Sequence, residues 1–405
     1  MLNRHILSEI KESFSMFPCV MLIGGRQTGK STILKQLQQE GIIKNIATLD
    51  DLSVLGALAG DTEGFLEQMQ LPAAFDEVQR HPKIMLAIKK KIDDNKRPGM
   101  FILTGSANIL SYPNVTESLA GRCVFIRMEG LSTSEYLDKP PSNFIKQLFN
   151  ASEIKEIHPN FSPDFTEISS SMFYGAYPEV RLKASEHFRD KWFSSYETAY
   201  IERDVHDLNK FLDVVSFSNV FKLASLQTGN LLNYHHLSVE TELDQRTVKR
   251  YIEILTLTFQ MTLLRPYSSG GRVTLIKSPK IYMNDVGHAS YCQKVLRPSG
   301  LDTGNLLETW MFSELRKAIT LEENIEIYFY RTTTGKEVDF ILKQGDKLRA
   351  IECKSKKTIT TKDLSGLHDF LENHEAALGF VLYKGDKIIP LSSRILAIPM
   401  TCLYS

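Results

Sequence analysis

The chain has 405 residues, 42% hydrophobic and 24% charged, with Lys+Arg and Asp+Glu balanced at 48 each. That length predicts roughly two to four domains, and the composition excludes a disordered or fibrous chain. Without net charge, nothing advertises nucleic acid globally, so any such binding has to be local.

The first apolar run, Val20-Met21-Leu22-Ile23, predicts a strand. It leads into Gly24-Gly25-Arg26-Gln27-Thr28-Gly29-Lys30-Ser31, a complete G-x-x-x-x-G-K-[ST] loop, and Thr32-Ile33-Leu34 to Leu37 starts a helix. Strand, loop and helix in that order make a phosphate-binding loop. Its glycines let backbone N–H groups turn inward, and the helix N-terminus adds a positive dipole end. Gly24 through Thr32 are therefore the expected nucleotide contacts, with Lys30 reaching the β/γ-phosphates and Ser31 a ligand of Mg²⁺.

Hydrolysis needs further groups. Leu71-Pro72-Ala73-Ala74-Phe75-Asp76-Glu77 reads as a short strand ending in two acids, as in a Walker B element. Asp76 is assigned to the Mg²⁺ site and Glu77 to orienting and deprotonating the attacking water. A further strand, Met100 to Leu103, ends in Thr104-Gly105-Ser106. Ser106 at that tip is a candidate sensor of the γ-phosphate, with a plain turn as the alternative. The last strand of this region is Cys123 to Met128, preceded by Gly121-Arg122. Arg122 is either an arginine finger for a neighbouring subunit or a solvated surface arginine. The alternation of strands and helices predicts a parallel α/β sheet, a P-loop ATPase core over residues 1–130.

Residues 131–215 read as a mostly helical lid, with aromatic-rich amphipathic stretches around Trp192–Tyr200. Within it, Gly175-Ala176-Tyr177-Pro178-Glu179 is a tight turn whose Pro178 is a candidate adenine contact. Tyr200-Ile201-Glu202-Arg203-Asp204 places a charged cluster on a helix, either functional or a solvated face.

Residues 216–285 predict a winged helix. Leu237 to Glu240 forms a short helix, and Asp244 caps the next, Gln245 to Ile252. Strand-like Met261–Leu264 and Val273–Ile276 flank Gly270-Gly271 as a wing. Arg246, Lys249 and Arg250 are candidate phosphate contacts. Acids and bases balance in this region, so a structural or protein-binding role stands beside DNA reading.

Residues 286–405 hold a second constellation. Lys336 to Leu342 and Leu348 to Lys354 predict two strands joined by a turn at Gln344-Gly345-Asp346. That hairpin brings Asp339 beside Glu352, and strand alternation points Lys354 the same way as Glu352. Gly304-Asn305-Leu306-Leu307-Glu308 opens a helix that adds a third carboxylate. Glu308, Asp339 and Glu352 around a divalent cation, with Lys354 stabilising charge, is a phosphodiester-cleaving arrangement and matches the PD-(D/E)XK pattern. A hairpin with solvent-facing charges reads similarly, and a correct fold can still carry an inactive site.

Together these strings resemble a family of bacterial and archaeal AAA-type ATPases fused to a C-terminal domain of unknown function. They are Gly24–Ser31, Asp76–Gln79, Leu103–Ser106, Leu119–Arg122, Gly175–Glu179, Tyr200–Asp204, Thr247–Tyr251 and the Glu308/Asp339/Glu352/Lys354 set. The resemblance spans nearly the whole chain. It implies an ATPase core, a helical lid, a winged helix and a restriction-endonuclease-like end, with ATP and Mg²⁺ as cofactors and a second divalent metal at the C-terminal site. DNA and a homo-oligomer are the expected partners besides ATP. The lid turn also resembles that of signal-transducing ATPases that switch on nucleotide binding. One departure is Cys353 between Glu352 and Lys354, where a small or apolar residue is more usual.

Cys19, Cys123, Cys292, Cys353 and Cys402 lie far apart, without zinc spacing, and fit a reducing cytosol. The N-terminus lacks the apolar core of a signal peptide, and no stretch approaches the roughly 20 apolar residues that span a bilayer. A cytoplasmic protein without membrane contact is expected.

Overall fold

The computed structural model describes residues 2–106, 119–200, 213–268, 277–298 and 304–405. They divide into two compact units: Asn3–Gly130 with Leu257–Phe259, and Leu131–Thr256 with Gln260–Ser405.

The first unit opens on helix α1 (Ile6–Met16), whose Ile6, Leu7, Ile10 and Phe14 recur at helical spacing and are buried. Strand β1 (Cys19–Ile23) is followed by α2 (Lys30–Gln39), β2 (Asn45–Thr48), α3 (Leu52–Gly60) and α4 (Thr62–Gln68). Then come β3 (Ala73–Asp76), α5 (Ile84–Asp94), β4 (Phe101–Gly105) and β5 (Cys123–Arg127). The strands make one parallel sheet in the order β2-β3-β4-β1-β5. β1, β3 and β4 are buried at every residue, which is why they read as unbroken apolar runs. Because β4 lies between β1 and β3, the phosphate loop, the polar tip at Thr104 and the acid pair stand side by side. They share the carboxyl edge of the sheet, where ligands of open α/β sheets bind.

Among the described residues, the second unit is helical at first. It runs through α6 (Thr133–Tyr136), α7 (Phe144–Asn150), α8 (Thr166–Tyr174), α9 (Pro178–Lys183), α10 (Glu186–Tyr200) and α11 (Val214–Leu226). Strand β6 (Asn230–Leu231) precedes α12 (Tyr234–Thr241) and α13 (Gln245–Leu257). Asp244 caps α13 as predicted, accepting the N–H groups of Arg246 and Thr247. Strands β7 (Met261–Leu264) and β8 (Lys280–Met283) pair antiparallel, with β8 also pairing β6. The expected strand Val273–Ile276, the wing glycines Gly270-Gly271 and residues 201–204 of the charged cluster lie outside the described residues.

After α14 (Val286–Cys292) and α15 (Gly304–Ile319) comes a mixed sheet of six strands. β9 (Glu326–Arg331), β10 (Glu337–Gln344) and β11 (Lys347–Lys354) run antiparallel. Helix α16 (Ser365–Asn373) follows, and β12 (Leu378–Tyr383) and β14 (Ile395–Pro399) then extend β11 in parallel, with β13 (Ile389–Pro390) at the edge. One face packs Phe340, Ile351 and Phe380 into a core with Trp310 and Phe312 of α15. The other packs Val338, Ile341 and Val381 against Leu367 and Phe370 of α16. The first of these cores also contains Phe173, Phe193 and Tyr251, so it continues without a break into the helical part of the unit.

Candidate functional site

In the first unit, Gly29 is the left-handed residue that starts α2, at φ 99°. Only glycine takes that conformation without strain, and it opens the loop for backbone N–H groups to face a phosphate. Lys30 is buried, with Nζ donating to the carbonyls of Gly24 at 2.9 Å and Gly25 at 2.8 Å. Thr28 Oγ1 also donates to the Gly25 carbonyl, at 2.9 Å. Arg4, which carried no signal in the sequence, clamps the loop from outside. Its guanidinium donates to the Thr28 carbonyl at 2.7 Å and the Glu129 carbonyl at 2.8 Å. Arg26, Gln27 and Thr32 complete the loop and the first helical turn.

Ser31 Oγ donates to Asp76 Oδ2 at 2.7 Å across the strand tips. Asp76 Oδ1 accepts from Thr104 Oγ1, whose oxygen in turn accepts the Glu77 N–H at 3.1 Å. Glu77 sits just past β3 with φ 57°, a left-handed conformation rarely held by a non-glycine residue. Gln79 Nε2 reaches back to Glu77 and also donates to Ser106 Oγ at 2.9 Å. Thus Ser106 is joined to the acid pair through Gln79, to which the residue pattern assigns no role. The tight turn Val78–Arg80 is what folds Gln79 back, and a spacing of two residues does not announce that. Arg122 forks onto Asp93 of its own chain, Nε to Oδ1 at 2.6 Å and Nη2 to Oδ2 at 2.9 Å.

In the second unit, Pro178 is the first residue of α9, and the turn before it has an unpredicted partner. Gly175 has φ 77°, and a Cβ there would stand 2.2 Å from Asp285 Oδ1. The other oxygen of that carboxylate accepts the Ala176 N–H at 2.7 Å, while Oδ1 caps α14 by accepting the His288 N–H at 2.7 Å.

The predicted C-terminal carboxylates do converge. The hairpin register continues from Phe340 opposite Ile351, and Asp339 Oδ2 accepts the Cys353 N–H at 2.8 Å. Cys353 therefore contributes its backbone. The β9–β10 pairing slips between Val338 and Ile341, so a bulge falls at Asp339. Bulges re-aim side chains in this way beside functional sites. Lys354 Nζ bonds Glu352 Oε1 at 2.6 Å, as alternation predicts, and Glu352 Oε2 is buried without a hydrogen-bond partner. Burial, then the neighbouring Asp339 charge, raises the Glu352 carboxyl well above its usual range. Glu308 from α15 is pushed up to about 7 by burial and Asp339, against the pull of Lys280.

Lys280 is the member that sequence reading missed. It comes from β8, and its ammonium lies 2.6 Å from Glu337 Oε1, 2.8 Å from Glu308 Oε1 and 3.7 Å from Asp339 Oδ1. Burial disfavours its charge, yet the three carboxylates outweigh burial and raise its pKa. Tyr282, two residues on, donates its hydroxyl to the same Glu308 oxygen at 2.5 Å. Period-two alternation on β8 would have placed Lys280 and Tyr282 on one face, but only the tertiary pairing shows what that face meets.

Among the described residues, Glu197, His288 and Cys292 form another group with ligand-type atoms within 4.8 Å of one another. His288 Nε2 lies 2.9 Å from Glu197 Oε1, and Nδ1 is buried without a partner. Burial disfavours a charged His288 ring, but Cys292 and Glu197 outweigh it and push the ring up to about 10, so a charged imidazolium against the Glu197 carboxylate satisfies that pair with no metal. Nδ1 also lacks the outer acceptor that ligating histidines have.

The first unit is thus a parallel sheet with a phosphate loop, an acid pair and a polar strand tip side by side, the class of nucleotide-binding P-loop sites. Comparison with known proteins agrees. Residues 16–137 match the profile of an AAA domain, residues 166–299 a domain of unknown function (DUF8612), and residues 303–403 another (DUF4143). The chain therefore carries an ATPase-like AAA domain followed by two domains of unknown function. It is 22% identical over 98% of its length to the uncharacterized protein Rv2008c of Mycobacterium tuberculosis, covering 83% of that protein. The uncharacterized protein Mb2031c of Mycobacterium bovis matches equally, at 22%. Among solved structures, the Walker-type ATPase PABY2304 of Pyrococcus abyssi aligns with 72% of this chain and 96% of its own, at 14% identity and a TM-score of 0.47. The DNA clamp loader delta protein YqeN of Bacillus subtilis aligns at 10% identity and a TM-score of 0.26, over 62% of this chain and 88% of its own. Among the described residues, no helix is long and apolar enough to cross a membrane.

Proposed function

We propose that this protein binds and hydrolyses ATP at the loop Gly24–Thr32, and that its nucleotide state governs a C-terminal carboxylate site acting on DNA. The carrying observation is the 2.7 Å bond from Ser31 to Asp76 directly after the buried Lys30. A hydroxyl and a carboxylate so paired fit an octahedral Mg²⁺ that keeps several waters. Bound there, Mg²⁺ supplies charge neutralisation to the β/γ-phosphates. Lys30 holds the same phosphates, Glu77 takes the proton of the attacking water, and Ser106 with Gln79 reports on the γ-phosphate. Pro178 is assigned to the adenine and Arg122 to a neighbouring subunit's nucleotide in a homo-oligomer.

For the C-terminal site, the unpartnered buried oxygen of Glu352 beside Asp339 and Glu308 suits a divalent cation, with Lys354 beside a scissile phosphate. Three features support DNA as substrate. Two short helices, α12 and α13, follow each other in sequence as in a helix-turn-helix, β7 and β8 suit a wing, and Arg246, Lys249 and Arg250 are exposed on α13. A second reading, an ATPase switch that binds protein or nucleic acid and cuts nothing, is favoured by Lys280, whose cation already fills the carboxylate cluster. A low-salt nicking assay with Mn²⁺, run with and without ATP on wild type and Asp339→Ala, separates the two. Cleavage lost in the variant supports the nuclease. No cleavage of any DNA form, with ATP turnover intact, establishes the switch.

A further inference from the structure

We infer that Lys280 is a built-in competitor for the divalent cation at the C-terminal carboxylates, so that metal enters only when the lysine withdraws. This rests on the reading of Glu308, Asp339 and Glu352 as a metal site. The ammonium bonds Glu308 and Glu337 and lies 3.7 Å from Asp339, so it stands where a cation bridging Glu308 and Asp339 has to sit. A divalent ion beside it meets direct like-charge repulsion in a buried setting, where charges are poorly screened.

The lysine is not a surface side chain that swings away freely. Only 3% of its side chain is exposed, and β8 holds it by pairing on both sides, with β6 and with β7. Withdrawal therefore requires the buried side chain to rotate out of the cluster or β8 to shift, and β8 belongs to the small sheet that follows α13 rather than to the carboxylate hairpin. In the conformation described, Arg331 and Lys354 leave little charge for a metal to neutralise. Arg331 bonds Glu337 at 2.9 Å and Lys354 bonds Glu352 at 2.6 Å.

The test is Mn²⁺ binding by the full-length protein without nucleotide, read by calorimetry and by the thermal unfolding midpoint. Lys280→Met keeps the length and apolar stem while removing the charge. Wild type is expected to bind Mn²⁺ weakly. K280M is expected to bind on the order of 100-fold tighter and to be stabilised by Mn²⁺, with both gains abolished by adding Asp339→Ala. Lys280→Arg, which keeps the charge, should behave as wild type. Equal, Asp339-dependent affinity in wild type and K280M overturns the competition while leaving the metal site standing. Absence of Asp339-dependent binding in both overturns the metal site itself and the inference with it.

Discussion

The two units each bury a lysine, and they surround it differently. Lys30 donates to the backbone carbonyls of Gly24 and Gly25, while Asp76 accepts from the hydroxyls of Ser31 and Thr104. Lys280 bonds carboxylates directly, and so does Lys354. Neutral carbonyls are readily exchanged for a phosphate, because an anion makes the stronger, charge-assisted bond. Carboxylates are not exchanged without leaving buried charges unpaired. The first arrangement is poised to receive an anionic ligand; in the second, Lys280 already bonds the carboxylates a cation would bridge and has to leave before a cation enters.

That contrast can be broken most severely at Lys30. Lys30→Ala should abolish nucleotide binding in calorimetry while the C-terminal unit keeps its fold; undiminished affinity would show that the loop does not hold phosphates. Glu77→Gln should still bind ATP, yet turn over about 10²–10⁴-fold more slowly, since an amide cannot take the proton. Single-turnover kinetics at wild-type rate would move the base elsewhere.

A smaller effect sharpens the second unit. Asp285→Ala removes acceptors for two buried N–H groups, Ala176 and His288, and should cost about 1–3 kcal/mol in chemical denaturation. Asp285→Asn, which keeps an acceptor oxygen, should cost less, and equal losses would argue that the charge matters rather than the cap. The smallest effect is expected at Arg122. Arg122→Ala should leave ATP affinity unchanged and lower turnover only where specific activity rises with protein concentration. A concentration-independent activity in wild type would confine Arg122 to its pair with Asp93.

The site in the first unit was legible because its chemistry is local. Gly24–Ser31 is one contiguous turn, and each remaining part terminates a strand whose apolar run marks it. The four expected strands came out within a residue or two of their spans, β4 at Phe101–Gly105 and β5 at Cys123–Arg127, while β2 at Asn45–Thr48 was not foreseen. Gln79 was missed because its role depends on a turn that reverses direction within three residues. Arg4 was missed because its partners, Thr28 and Glu129, are distant in sequence. In the second unit, Asp339, Glu352 and Lys354 were found through hairpin spacing and alternation. Lys280 and Glu337 were not, since alternation gives each a strand face but not the elements that face meets.

The sequence by itself determined the parallel α/β core, the phosphate loop, the acid pair after β3 and the hairpin carrying Asp339 and Glu352. Each follows from periodicity and short-range geometry, which residue order encodes directly. Tertiary structure alone decided which charge meets which. It brought β8 against α15 and β10, so that Lys280 faces Glu308 and Glu337 across separations of 28 residues or more. It also joined the turn at Gly175 to Asp285, 109 residues from Ala176. Ion pairs and caps of that range are selected by how whole elements pack, and packing depends on the summed shape of apolar faces rather than on any local string.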